Sequence, residues 1–266
     1  MIVDYHMHLR NEREEIAHDA ASVEPFVDAA ARAGVDEIGF TEHAYYFTQL
    51  RTLWSVPYQT ERCVYDLDAY VDAVVQAREG GLPVKLGLEV DYVPGREDET
   101  RALLAPYPWD YLLGSVHFVD GLGIDGAPRL ADEVGVEEMW RRYFEVLARA
   151  ARSRLFDSLS HPDLAKVFGD RIAFDYTAIS DAIAEAGVAV EVSTAGLRKP
   201  VGELYPHPDF LVACRERGVP ATTGSDAHVP GLVGRDFDLA RELLRSAGYE
   251  TVTVYDRRHA RQEPVG

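Results

Sequence analysis

The chain has 266 residues, 47% of them hydrophobic, and a formal net charge of −18. That length suits one large α/β domain, no run approaches the ~18 apolar residues of a membrane-spanning helix, and so acidic a balance argues against nucleic acid as a general partner. No basic-then-apolar stretch opens the chain, and Cys63 and Cys214 are its only cysteines, so we expect a cytoplasmic protein without a disulfide framework.

In chain order, Met1-Ile2-Val3 reads as a short buried strand that runs into Asp4-Tyr5-His6-Met7-His8. Side chains alternate along a strand, so His-x-His puts two imidazoles on one side. A helix is predicted from Ser22 to Arg32, capped by Ser22 and stopped by Gly34. The strand Val35 to Phe40 then delivers Thr41-Glu42-His43. Residues 44–65 form a long segment rich in aromatics (Tyr45, Tyr46, Phe47, Trp54, Tyr58 and Tyr65), which fits either a satellite packing cluster or a substrate lid.

Asp66 caps the next helix, which ends at Gly80-Gly81. The strand Pro83 to Val90 carries Glu89 near its end, followed by Asp91. A short helix, Glu97 to Leu104, precedes the strand Asp110 to Val116 and His117. A second long loop covers Phe118 to Gly135. Val136 to Arg152 is amphipathic, with Met139, Trp140, Tyr143, Phe144 and Leu147 on the apolar side. Phe156 to Ser160 delivers His161-Pro162. Helices from Tyr176 to Ala186 and Pro208 to Arg217 flank the strand Val188 to Ser193. Val219 to Gly224 delivers Ser225-Asp226-Ala227-His228. The last helix is Asp236 to Ala247, the last strand Glu250 to Tyr255, and the polar tail from Asp256 should be frayed. Regular strand–helix alternation without a linker predicts a single α/β domain, 1–266, with a parallel sheet that eight strands could close into a barrel.

The polar residues fall in a pattern. His6, His8, His43, Glu89, His117, His161, Asp226 and His228 all lie at or just beyond the C-terminal end of a predicted strand. In a β/α barrel those ends meet on one face. Imidazoles and carboxylates gathered there are the ligand types of a polynuclear site for zinc, iron or manganese.

This order of residues resembles the PHP superfamily (polymerase and histidinol phosphatase), over nearly the whole chain. The size, the aromatic insertion after His43 and Ser193-Thr194-Ala195-Gly196-Leu197-Arg198-Lys199-Pro200 resemble its free-standing histidinol phosphatase branch. The resemblance implies a distorted, TIM-like barrel of seven β/α units holding three divalent metals. By motif, His6, His8, Glu89 and Asp226 would hold the first metal. Glu89 would bridge to the second, with His117 and His161. His43 and His228 would hold the third, with His18 as a further candidate at a longer spacing than the family's. The implied activity is that of a phosphoric monoester hydrolase acting on L-histidinol phosphate, a small molecule.

These residue types suit that chemistry. Clustered divalent ions neutralise a phosphomonoester and acidify water, so a hydroxide bridging two ions can attack phosphorus in line. Arg198 is the leading phosphate-binding side chain outside the metal ligands, Lys199 is a second, and His43 and His228 would meet the phosphate through the third metal. Asp226, beside the metals, joins Glu89 and Arg198 as a catalytic candidate. Glu191 could orient a ligand or meet a substrate amine. The rival readings are a phosphoesterase for a nucleotide or phosphotyrosine, an amidohydrolase-type C–N hydrolase using a strand lysine such as Lys85, and a catalytically silent metal-binding domain.

Overall fold

The computed structural model describes residues 1–9 and 18–266. Its strands form a three-stranded and a five-stranded parallel sheet, with two small antiparallel pairs beside them. In the first sheet Val3–Asp4 pairs with Glu37–Phe40, which pairs with Val84–Leu86. The second runs Ala221–Gly224, Ala189–Ser193, Ser158–Leu159, Leu113–Ser115, Glu89–Asp91.

The two sheets meet at two seams. At one, the chain passes from Leu86 to Glu89 through Gly87-Leu88, while Gly87 N–H donates to Phe40 O at 2.8 Å and Glu89 N–H to Glu42 O at 3.0 Å. At the other, Tyr5 N–H donates to Thr223 O at 3.0 Å and His8 N–H to Ala227 O at 2.8 Å. The second seam brings the two ends of the sequence-predicted metal motif, His-x-His and Asp-x-His, onto adjacent backbones.

Asp4 fixes that second seam. Its buried carboxylate accepts from Ser225 N–H at 2.8 Å and Gly234 N–H at 2.9 Å, bracketing the loop that carries Asp226 and His228. Burial pushes its pKa up to about 6, against the pull of those donors.

The helices follow the predicted amphipathic pattern. Val136–Arg152 buries Met139, Trp140, Tyr143, Phe144 and Leu147. Asp66 caps Leu67–Glu79 by accepting from Asp68 N–H. The first helix differs: it starts at Ala20, and its cap is Asp19, which accepts from the backbone and hydroxyl of Ser22. Both residues are N-cap formers, and the carboxylate wins because it accepts two hydrogen bonds at once.

The C-terminal end also differs from expectation. The predicted eighth strand, Glu250 to Tyr255, is found as Thr251–Asp256, and among the described residues it pairs only with His259–Pro264, antiparallel. The tail expected to fray is therefore a paired strand. The turn between them, Arg257-Arg258, takes the left-handed backbone at both positions, with φ 47° and 64°, the geometry of a two-residue hairpin turn. Its N–H groups are held by the Asp110 carboxylate and carbonyl. Two arginines are poor turn formers, which is why sequence alone hid the hairpin.

Below the ligand-bearing ends lies a knot of buried tyrosines. Tyr111 packs on Tyr5 at 5.0 Å and Tyr255 at 5.3 Å between ring centroids, and its hydroxyl donates to Tyr5 O at 2.8 Å. Gly39 and Gly87 make room for this ring, since a Cβ at either would run into it. Gly39→Ala should therefore destabilise the chain by about 2 kcal/mol through overpacking, read as a lower midpoint in denaturant at unchanged m-value. An unchanged midpoint would mean the ring has slack to move.

Candidate metal centre

Alternation along the first strand sends Tyr5 and Met7 into the core and leaves His6 and His8 side by side, ring centroids 5.3 Å apart. The strand Glu37–Phe40 delivers His43, Leu113–Ser115 delivers His117, Ser158–Leu159 delivers His161, and Ala221–Gly224 delivers Asp226 and His228. Glu89 opens the strand Glu89–Asp91.

These side chains converge on the Glu89 carboxylate. His43 Nδ1 lies 2.7 Å from it, His161 Nε2 3.0 Å, His6 Nε2 3.4 Å, His117 Nε2 3.6 Å and His8 Nε2 3.8 Å. Asp226 stands 3.2 Å from His8 and 3.7 Å from His6, and the His228 ring stacks on His8 with centroids 4.2 Å apart. Four overlapping triads bring their donor atoms close enough to hold an ion: His6-His8-Asp226, His6-Glu89-His161, His43-Glu89-His117 and His8-His43-His228. Two of these residues, His161 at φ 28° and Asp226 at φ 53°, hold a left-handed backbone, a conformation uncommon away from glycine.

A second layer of carboxylates sits behind the imidazoles. Glu191 Oε1 lies 2.8 Å from His6 Nδ1, and its Oε2 accepts from His161 N–H at 2.6 Å. Asp91 Oδ1 lies 2.6 Å from His117 Nδ1 and is itself held by Gln59 through Oδ2. Glu42 lies 3.6 Å from His8 Nδ1. With Nδ1 engaged, the His6 and His117 rings turn Nε2 toward the centre, the arrangement that orients metal-ligating histidines, while His8 Nδ1 faces Glu42 without a hydrogen bond. Gly224 permits one of these contacts, because a Cβ there would strike both Glu191 Oε1 and His6 Cβ.

The electrostatics fit cation binding. Burial opposes charge on His8 and His117, yet neighbouring carboxylates outweigh it, and their pKa values rise to about 9 and about 10. Burial and the nearby His8 drive His228 down to about 3. Burial also opposes ionisation of Glu89 and Asp226, but the surrounding imidazoles hold both well below the usual carboxylate range. Although His43 Nδ1 lies 2.7 Å from Glu89 Oε2 and Asp226 lies 3.2 Å from His8 Nε2, these contacts lack hydrogen-bond geometry, so His6 Nε2, His8 Nε2 and Glu89 Oε2 are buried without a well-formed hydrogen bond. Orphaned lone pairs of this kind are costly unless a cation or proton fills the space between them.

Other predicted residues fall differently. His18 is not in any of the triads: its Nε2 lies 3.6 Å from Glu42, within a ring of Phe47, Tyr65 and Tyr70. Arg198 donates to Thr194 O and Ser225 O, tethering the turn that holds Asp226, while Lys199 lines the cavity. Lys85 Nζ pairs with Asp256 at 3.1 Å and Glu37 at 3.8 Å, away from the cluster, where it cannot serve as the bridging lysine of an amidohydrolase centre.

The cavity over the cluster holds about 340 Å³ and is walled by Tyr45, Tyr58, Phe118, Asp125 and Tyr205 as well as the histidines. In the aromatic segment after His43, Tyr46, Phe47, Leu50 and Leu53 are core, as a packing cluster requires, while Tyr45 and Tyr58 face the cavity. Glu42, Asp91 and Asp125 had no role assigned from sequence. The first two stand beside a motif residue, and that adjacency was their only signal.

Residues 4–195 match the PHP domain and residues 211–236 the PHP-associated region. The chain belongs to the PHP family. Within it, this chain is 36% identical over 252 residues to a probable histidinol-phosphatase of Deinococcus radiodurans, covering 93% of this PHP protein and 94% of the relative. The histidinol-phosphatase of Bacillus subtilis is 27% identical, with 80% and 89% covered. The fold matches the crystal structure of histidinol phosphate phosphatase from Lactococcus lactis, complexed with zinc, L-histidinol and phosphate, at a TM-score of 0.78 and 22% identity, with 98% of each chain covered.

Two expectations follow for this PHP centre. His8 and His117 titrate above their ordinary value of 6.5, so in metal-free protein their stabilisation is complete below about pH 6.5 and is lost as pH rises through about 9 and about 10. The metal-free melting temperature should fall between pH 7 and pH 10.5 by more than that of a variant with both histidines replaced by glutamine. In addition, Glu191→Gln should weaken metal binding about 10- to 100-fold, measured by competition with a chromophoric chelator. Unchanged affinity would remove Glu191 from the support of His6.

Proposed function

We propose that this protein is a metal-dependent phosphomonoesterase acting on L-histidinol phosphate in histidine biosynthesis. The observation that carries this reading is the convergence of five imidazoles on one buried carboxylate, with unpartnered nitrogens facing inward under a cavity of small-molecule size. The 36% identical relative, matched along almost its full length, supports the substrate assignment. The two seams between the sheets support a closed, distorted barrel of seven β/α units as one domain, with the site on the rim at the strand ends.

His6, His8 and Asp226 would hold one divalent ion, Glu89 with His43, His117 and His161 a second, and His8 or His43 with His228 a third. Zinc, manganese or iron suits this donor set. Bound there, such ions supply neutralisation of the phosphate charge and acidification of water. The chain's own residues do the rest. Glu191, Asp91 and Glu42 hold the imidazoles in place. Lys199 meets the phosphate as a mobile cation. Arg198 acts through the Ser225-Asp226 turn that it tethers. His18 stands behind Glu42 as a support rather than a ligand. No helix among the described residues is long and apolar enough to cross a membrane, and a cytoplasmic location suits a biosynthetic enzyme. The net charge disfavours nucleic acid as substrate.

The test is phosphate release from L-histidinol phosphate against a panel of nucleotides, phosphotyrosine and other phosphomonoesters, after loading with each metal. We expect L-histidinol phosphate to have the highest kcat/KM, chelator to abolish activity, and His6→Ala or Glu89→Ala to lower kcat by about 100-fold or more, with Lys199→Ala mainly raising KM. Full activity in chelator, or a Glu89→Ala variant at full rate, would refute the reading.

A further inference from the structure

We infer that Asp125 is the anchor for a protonated amine on the substrate and so sets the preference of this enzyme for amino-alkyl phosphates. The inference rests on the phosphatase reading above and goes on to name the residue that selects among phosphate esters.

Two carboxylates line the cavity, Asp226 and Asp125. Asp226 is engaged by His6 and His8. Asp125 is exposed, lies outside every donor triad, and makes no hydrogen bond or ion pair among the described residues. Asp125 acts on the nearby His117 ring only through space, and a carboxylate without a hydrogen-bonded partner is an odd neighbour for a phosphate site in a chain of net charge −18, because it adds to the repulsion that the site must overcome. The placement makes sense if the substrate carries a positive charge as well. L-histidinol phosphate does, since its amine is protonated at neutral pH.

The backbone pins Asp125 where it stands. Ile124, buried, donates its N–H to His117 O at 2.8 Å, and Gly123 N–H donates to Pro128 O at 2.8 Å. Gly123 can carry no side chain, because a Cβ there would collide with the carbonyl of Gly126. The turn is therefore built tight against the backbone of a candidate metal ligand, with the Asp125 carboxylate at the cavity edge. Tyr58 and Phe118, ring centroids 5.9 Å apart, form the adjoining wall, a surface for a flat ring. Phosphate toward the imidazoles, amine toward Asp125 and ring toward Tyr58 and Phe118 give three points of contact, enough to discriminate one phosphate ester from another.

The experiment compares L-histidinol phosphate with its deamino analogue, 3-(imidazol-4-yl)propyl phosphate, on metal-loaded wild type, Asp125→Asn and Asp125→Glu. The two substrates share the ring and the primary alkyl phosphate; the ammonium group also makes the leaving alkoxide less basic, an effect on kcat that is common to every variant, so the contact is read from KM. Wild type should favour the amine-bearing substrate by about 10- to 100-fold in kcat/KM, chiefly through KM, the range of a charge-assisted contact. Asp125→Asn should bring the two KM values together, and Asp125→Glu should restore part of their difference. The inhibition constant of L-histidinol should rise in Asp125→Asn by a similar factor, a binding readout independent of turnover. A KM difference unchanged by Asp125→Asn would overturn the inference, as would an equal fall in kcat for both substrates, which marks a proton donor or a structural residue instead. Wild type that hydrolyses other phosphomonoesters but not L-histidinol phosphate would sink the substrate assignment itself, a different failure from either of these.

Discussion

The site is organised by the burial of Glu89. An ionised carboxylate removed from water is expensive unless positive charge or strong donors surround it. Here five imidazoles lie within 3.8 Å of it, from strand ends spread between His6 and His161. Those imidazoles cannot all be protonated, because they crowd one another. His43 and His228 are driven toward the neutral form while His8 and His117 are drawn toward the charged one. The cluster is thus internally frustrated as a set of proton acceptors, and it is relieved by cations placed between nitrogen and oxygen. The fold must hold these groups against their own repulsion.

That holding is done by a second tier of acids and by close backbone approach. Glu191 reaches both the His6 ring and the His161 amide because Gly224 leaves the space open. Asp91 grips His117 and is gripped in turn by Gln59, a residue of the aromatic insertion. Asp4, at the foot of the same strand as His6, ties down the loop of Asp226 and His228 from both sides. The strongly negative composition gains a local meaning here: several of its acids are buried supports for imidazoles, so the site is acidic when empty and becomes attractive to phosphate only through its cations.

The cavity above the cluster is shaped by the two long loops. The segment after His43 buries Tyr46 and Phe47 in the core and offers Tyr45 and Tyr58 to the cavity, so neighbouring residues of one segment supply its anchorage and its contact surface. The loop after His117 is tightened by Asp120-Gly121, both in the left-handed region, at the tip of a short hairpin. Loops of this kind are where one scaffold acquires its particular substrate.

The sequence by itself determined the strand–helix alternation, the amphipathic helices and the strand-end imidazoles and acids that converge. Strand-end position is a local property: a short apolar run closed by a histidine or acid can be read without knowing where the run goes. Eight of the nine residues expected at the metal centre do come together. The tertiary structure decided what depends on distance between chain segments. It put His18 behind Glu42, turned Arg198 onto the Ser225 carbonyl and left Lys199 in the cavity wall. It paired the tail with Thr251–Asp256, and it gave Glu191, Asp91 and Asp125 their neighbours. The tail hairpin is local but turns on two arginines that do not announce a turn; the contacts of His18, Arg198, Glu191 and Asp91 join residues far apart in the chain, fixed by which backbones the packed core brings side by side, and no local pattern carries that information.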